Sequence, residues 1–188
     1  KVGHAGTLDP LATGLLLICT GKMTKKISEI QALEKAYTGT ITLGATTPSY
    51  DLETAIDQNF SIDHITKPQL NAVREKFKGE IDQYPPIYSA IKKEGKRLYE
   101  YARKGEKTKI ESRKVTLYAF DFTQIDLPQV HFHVRCSKGT YIRSLAHDFG
   151  QALESGAHLS QLRRTAIGAY TVEDALTPNQ ITEKLDGI

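Results

Sequence analysis

The 188-residue sequence predicts an α+β fold on a mixed, mostly antiparallel sheet flanked by helices. Alternating apolar and polar stretches recur at uneven intervals, and stretches of helical spacing separate some of them but not others. The regular strand and helix succession of a doubly wound parallel sheet is missing. With no internal repeat and no low-complexity tract, a single domain over 1–188 is expected.

The chain opens on KVGHAGTLDPLATGLL, where Gly3, Gly6, Pro10 and Gly14 surround His4 and Asp9. So much turn chemistry makes Asp9, taken alone, a turn aspartate or the N-cap of an apolar helix. From Tyr37 to Leu43 the pattern alternates, with Tyr37, Ile41 and Leu43 on one face and Thr38, Thr40 and Thr42 on the other, which predicts a strand. Thr66 and Gln69 form a capping-box pattern, Pro68 falls in the first turn, and Leu70, Val73 and Phe77 follow at helical spacing up to Gly79.

Val115–Phe122 and Val130–Cys136 alternate again and are predicted to pair antiparallel. After the turn-forming Ser137-Lys138-Gly139, Ile142, Leu145, Ala146, Phe149 and Leu153 take helical spacing, with Gly156 as the expected stop. Tyr141 and Arg143 therefore fall at a strand-to-helix junction. A further strand is expected from Leu162 to Tyr170, and Thr177 with Gln180 caps a last helix.

Composition narrows the function. The chain is 39% hydrophobic and 25% charged, as ordinary soluble proteins are, and its longest apolar run, Leu15–Cys19, is too short to span a bilayer. No secretory leader is legible, so a cytoplasmic location is expected. Cys19 and Cys136 sit among apolar residues and read as reduced core thiols. His131 and His133 share a strand face but lack a third ligand, and the glycines match no nucleotide-binding fingerprint, so neither metal nor cofactor is expected. The net charge of +3 is uneven: Lys92–Lys114 holds ten Lys/Arg against four Glu, a local +6, leaving about −3 on the other 165 residues. Tyr88, Tyr99 and Tyr101 are interleaved there, which suits a nucleic-acid surface, although a solvated charged helix has the same pattern.

The opening GHAGTLDPLATGLL resembles the catalytic-aspartate motif of the TruB-type tRNA pseudouridine synthases. The resemblance continues in the family's order through KAYTGTITLGATTPSYD, PPIYSAIKKEGKRLYEYAR, CSKGTYIRSLAHDFG and GAHLSQLRRTAIGAY. It implies the pseudouridine synthase fold and the isomerisation of a uridine in the T-arm loop of tRNA. In that reaction the N-glycosidic bond breaks, uracil turns, and C5 is joined to the sugar. The change is redox-neutral, which agrees with the absence of a cofactor motif.

By the same resemblance Asp9 is the catalytic aspartate, and Arg143 is the arginine paired with it. A nearby cation favours the charged form of a carboxylate in a dry pocket. Tyr141 is implied to lie near the uracil and to help remove the C5 proton, Tyr37 to stack on the target base, and Leu162 to form an apolar wall. His4 is implied to contact the rearranged RNA loop after the base is flipped. The insertion at about 84–110 is implied to close over the RNA arm, with Lys92, Lys93, Lys96 and Arg97 expected on the backbone and none of these four assigned to the pocket.

The resemblance leads one to expect an N-terminal strand with a Lys-Pro motif ahead of Lys1, and the C-terminal RNA-binding extension that many members carry is not expected within 1–188. The T-arm stem-loop is the expected partner, with no membrane and no protein partner required of a monomer. Two rival readings are a noncatalytic RNA-folding module and a guide-RNA-dependent synthase of the same superfamily. The continuous PPIYSAIKKEGKRLYEYAR stretch fits the stand-alone bacterial type better than the guide-dependent one.

Overall fold

A computed structural model describes residues 1–186 apart from 94 and 107, and the side chains of 185 and 186 are outside it. Glu94 and Lys107, counted above in the basic segment, therefore lie outside the described residues.

The chain begins with three short strands, β1 (Val2–His4), β2 (Thr13–Gly14) and β3 (Ile18–Thr20), and β1 pairs antiparallel with β3. A 3-10 turn over Gly21–Lys26 leads into α1 (Ile27–Ala32), and β4 (Lys35–Leu43) follows. The short pair β5 (Ala45–Thr46) and β6 (Gln58–Asn59) precedes α2 (Lys67–Lys76), whose N-terminus is closed by the expected reciprocal Thr66 and Gln69 cap. Next come β7 (Gly79–Gln83), the hairpin β8 (Lys92–Lys93) with β9 (Lys96–Arg97), and α3 (Leu98–Arg103). The long strands β10 (Arg113–Asp126) and β11 (Gln129–Cys136), α4 (Ile142–Ala152), β12 (Ala157–Ile167), β13 (Tyr170–Thr171) and α5 (Pro178–Asp186) complete the described chain.

Among the described residues seven strands form the main sheet, in the order β13-β12-β4-β11-β10-β7 with β2 beside β12. Every pairing in it is antiparallel except β2 with β12. The α+β architecture read from the sequence is thus the observed one. Its core lies between the sheet and helices α2 and α4, where Phe120 sits edge-on to Phe122, Phe132 and Phe149 at centroid distances of 5.6–5.9 Å. Ile142, Leu145, Ala146 and Phe149 of α4 and its C-cap Leu153 are all buried there, so the helical spacing marked the correct face. Cys136 lies in this core, where burial pushes its thiol up to about 11; Cys19 is buried in a smaller cluster with Leu15, Ile30 and Ile167, and both are free thiols.

Three local expectations are corrected. No helix follows Asp9, because Gly14 has φ +105° and pairs with Arg164 so closely that a Cβ there would stand 2.2 Å from the Arg164 carbonyl oxygen. Partnering with β12 outweighs the local helical preference. Second, α4 is stopped by Glu154 at φ +54°, not by Gly156, whose place is packed against the Phe60 ring. Third, β12 begins at Ala157 rather than Leu162 and ends at Ile167, before the left-handed Gly168. Its first residues were obscured by a buried polar one, since His158 Nδ1 lies 3.0 Å from the Ala45 carbonyl.

His131, considered above as a metal ligand, has Nδ1 2.9 Å from the Thr40 hydroxyl on the neighbouring strand. Among the described residues no three His, Cys, Asp or Glu side chains converge on a metal-sized site, and no helix is long and apolar enough to cross a membrane.

Candidate active site

The β1–β2 connection carries Asp9 in a turn in which the Asp9 carbonyl accepts the Ala12 N–H at 2.9 Å, with Pro10 presetting the second position. The turn is held from β12. Arg164 is 2% exposed and donates from Nε to the Leu15 carbonyl at 2.8 Å, from Nη2 to Gly6 at 3.1 Å and from Nη1 to Thr7 at 3.3 Å. A planar fork of donors suits three diverging carbonyls as an ammonium would not.

The Asp9 carboxylate meets Arg143, the second residue of α4. Nε donates to Oδ2 at 3.0 Å and Nη2 to Oδ1 at 2.9 Å, a bidentate pair. Arg143 is 4% exposed in its side chain while Asp9 keeps 30%, so the cation is buried behind the anion and the anion faces out. The remaining nitrogen Nη1 donates to the carbonyls of Tyr88 at 3.0 Å and Ser49 at 3.3 Å. A second carboxylate, Asp51, lies 3.6 Å from Nε and is itself buried. One guanidinium thus ties together the turn bearing Asp9, the loop after β5, the root of the basic insertion and the start of α4.

Asp9 opens onto a cleft of about 1060 Å³, ample for a nucleotide, whose walls include Tyr37, Tyr88, Arg97, Arg113 and Tyr141. Tyr37 is largely buried, and burial pushes its phenol up to about 12, so it stays protonated at neutral pH. Tyr141 is the N-cap residue of α4 and is half-buried. The strand-to-helix junction expected for Tyr141 and Arg143 is therefore present.

The other sequence-derived candidates divide. Leu162 does not line this cleft; it borders a small hollow shared with Asp9, Leu11 and Asp51. His4 is exposed on β1, opposite Ile18, and lies outside both. Lys92, Lys93 and Lys96 stand on the β8–β9 hairpin away from the cleft, but Arg97 lines it, which corrects the expectation that all four lie outside the pocket. The cause is the turn into α3: Tyr99 is flanked by Arg97 and Arg103, 5.8 and 5.3 Å from its ring centroid, and all three line the cleft.

Sequence reasoning missed Asp51, Gln83, Arg113 and Arg164. The partners through which they shape the site lie between 28 and 158 residues away along the chain, so no local spacing marks them. Asp51 closed one of the family-like stretches but carried no signal of its own.

This architecture is that of the pseudouridine synthases. It recurs in the crystal structure of a Cbf5-Nop10-Gar1 complex, at 30% identity and a TM-score of 0.75 over all of this chain and 48% of that one. It recurs as well in an H/ACA RNP bound to a substrate RNA containing 2'-deoxyuridine, at 27% identity and a TM-score of 0.71 over 47% of that chain. The present chain thus spans about half the length of those relatives. Residues 1–142 match the N-terminal domain of the TruB family pseudouridylate synthases, and residues 143–186 match the C-terminal domain of tRNA pseudouridylate synthase B. The chain belongs to the TruB family. Curated relatives include tRNA pseudouridine synthase B of Flavobacterium johnsoniae, 63% identical over 98% of this chain and 81% of that protein. That of Phocaeicola vulgatus is 50% identical over 99% of this chain and 79% of its own.

Proposed function

We propose that this protein converts a uridine in the T-arm loop of tRNA to pseudouridine, with Asp9 as the catalytic carboxylate. Isomerisation of a tRNA uridine is the activity named for its curated relatives. The observation that carries the reading in this molecule is the bidentate Asp9–Arg143 pair at the floor of a nucleotide-sized cleft. The reaction breaks N1–C1', makes C5–C1', releases the C5 proton and returns a proton to N1. An oriented anion beside the ribose serves it either by attacking covalently or by taking a ribose proton as the base leaves.

Tyr141 lies in the same cleft, where its hydroxyl helps remove the C5 proton, and Tyr37 offers a ring to the flipped base. Leu162 closes the apolar side beside Asp9, and His4 meets the RNA loop outside the cleft. Residues 1–188 act as one catalytic domain, with the insertion at about 84–110 gripping the RNA arm. The protein works in the cytoplasm as a monomer, without a protein partner, metal or cofactor. Higher identity to the stand-alone tRNA enzymes than to the Cbf5 chains favours this reading over guide-RNA dependence.

The test is release of tritium from a T-arm hairpin labelled at C5 of its uridines, followed by mapping of the converted position. Release with conversion in the loop is expected. RNA binding without any release would leave the noncatalytic module as the correct reading.

The insertion has its own test. If Lys92 and Lys96 contact phosphates, replacing both with Gln weakens hairpin binding and lowers the salt slope by about one to two, because each neutralised phosphate releases condensed counterion. Coincident slopes for parent and variant across a salt series would remove the hairpin from the RNA surface. Arg97 is left in place because it lines the cleft.

A further inference from the structure

Where β7 ends and β10 begins, the paired residues are Gln83 and Arg113, directly opposite each other. Both side chains are directed at Tyr141. Gln83 is fully buried and holds the Tyr141 backbone at two points: its Oε1 accepts the Tyr141 N–H at 2.8 Å, and its Nε2 donates to the Tyr141 carbonyl at 3.0 Å. The amide thereby imitates a neighbouring strand at a residue whose own side chain makes no cap hydrogen bond. Arg113 lays its guanidinium over the Tyr141 ring, 4.4 Å from the centroid.

The Arg113 side chain makes no hydrogen bond to another described residue. Its Nε and Nη2 are buried without a partner among the described residues. Buried donors without acceptors oppose folding, so fold stability does not account for an arginine in this place. Its ring contact faces the cleft that holds Asp9, and a planar cation on an aromatic face restricts how that ring turns.

We propose that the Gln83–Arg113 rung is a positioning device for Tyr141: Gln83 sets the height of its backbone and Arg113 sets the plane of its ring, so that the hydroxyl meets C5 of the rotated uracil. Neither residue touches the reacting atoms. The inference rests on the reading of Tyr141 given above.

Arg113→Met keeps the aliphatic stem, removes the stacked cation and breaks no hydrogen bond of the described structure. At saturating enzyme, single-turnover conversion of the hairpin should slow by about 10- to 100-fold, the loss typical of a reacting group displaced by an ångström or less. RNA affinity should fall by much less than the rate does, because Arg113 is one of several cations lining the cleft and its stacking is on the Tyr141 ring. With deuterium at C5 of the target uridine, the isotope effect should rise above the parental value, since proton loss becomes the slow step, and Arg113→Lys should restore part of both quantities.

Gln83→Glu, which loses one of the two backbone contacts, should shift rate and isotope effect in the same direction. A role in stability alone would lower the active fraction and leave the isotope effect untouched. Full-rate turnover, slower turnover without a larger isotope effect, or loss confined to RNA affinity would each overturn the proposal. Tyr141→Phe, measured alongside, separates the two levels. If it is slow with a raised isotope effect while Arg113→Met is not, the rung has no part. If it turns over at the parental rate, the assignment of Tyr141 falls and the rung's role falls with it.

Discussion

Asp9→Asn should reduce pseudouridine formation by roughly 10⁴-fold or more, as loss of a reacting side chain does elsewhere, while hairpin binding stays within a few-fold. The substitution keeps the shape and one acceptor oxygen for Arg143 but removes the anion. Binding should survive because the turn is built by other groups: Arg164 holds the carbonyls on either side, and the Asp9 carbonyl still accepts from Ala12. Single-turnover tritium release measures the first quantity and filter binding the second. Turnover near the parental rate would reject Asp9 as the catalytic group.

Arg143→Met should be as damaging to activity and also costly to the fold. The guanidinium lies between two carboxylates, Asp9 and the buried Asp51, and it supplies the donors to Ser49 and Tyr88 as well. Removing one partner of a buried charge pair typically costs about 3–5 kcal/mol, because the other charge is left uncompensated. The expected result is a large fall in the denaturant midpoint together with loss of turnover, and Arg143→Lys should recover little, since an ammonium cannot span the two carboxylates and two carbonyls with fixed geometry. An unchanged midpoint would show that the network does not stabilise the fold.

The two variants differ usefully. Asp9→Asn separates chemistry from folding; Arg143→Met joins them.

Much of this was legible in the sequence where one element carries its own signal. The capping box at Thr66, the alternation in β4, β10 and β11, and the apolar face of α4 are local patterns, and all correspond to observed elements. The extended course after Asp9 was not legible, because what straightens it is a pairing with β12 some 150 residues later in the chain. The start of β12 was hidden for a related reason, as His158 is polar in sequence and buried in the fold.

At the site, Asp9, Tyr141 and Arg143 were found through family-like motifs, and the structure places all three on one cleft. Asp51, Gln83, Arg113 and Arg164 act on backbone or on other side chains across distant strands, and a one-dimensional pattern has no term for that. The misplacement of Arg97 follows from counting charge along a segment, which cannot say which way a turn directs it.

The hold of Arg164 on the opening turn bears on how the protein is made. Asp9 is synthesised well before Arg164, so its turn depends on a side chain that appears some 155 residues later. Strand β4 likewise waits for β12, so the middle of the sheet closes through contacts of long sequence separation, the kind that slow folding. Until then β4 presents an unpaired edge, a site for association with other chains. A nascent chain stalled at residue 150 already carries the aspartate and its arginine, but has nothing to hold the turn in shape.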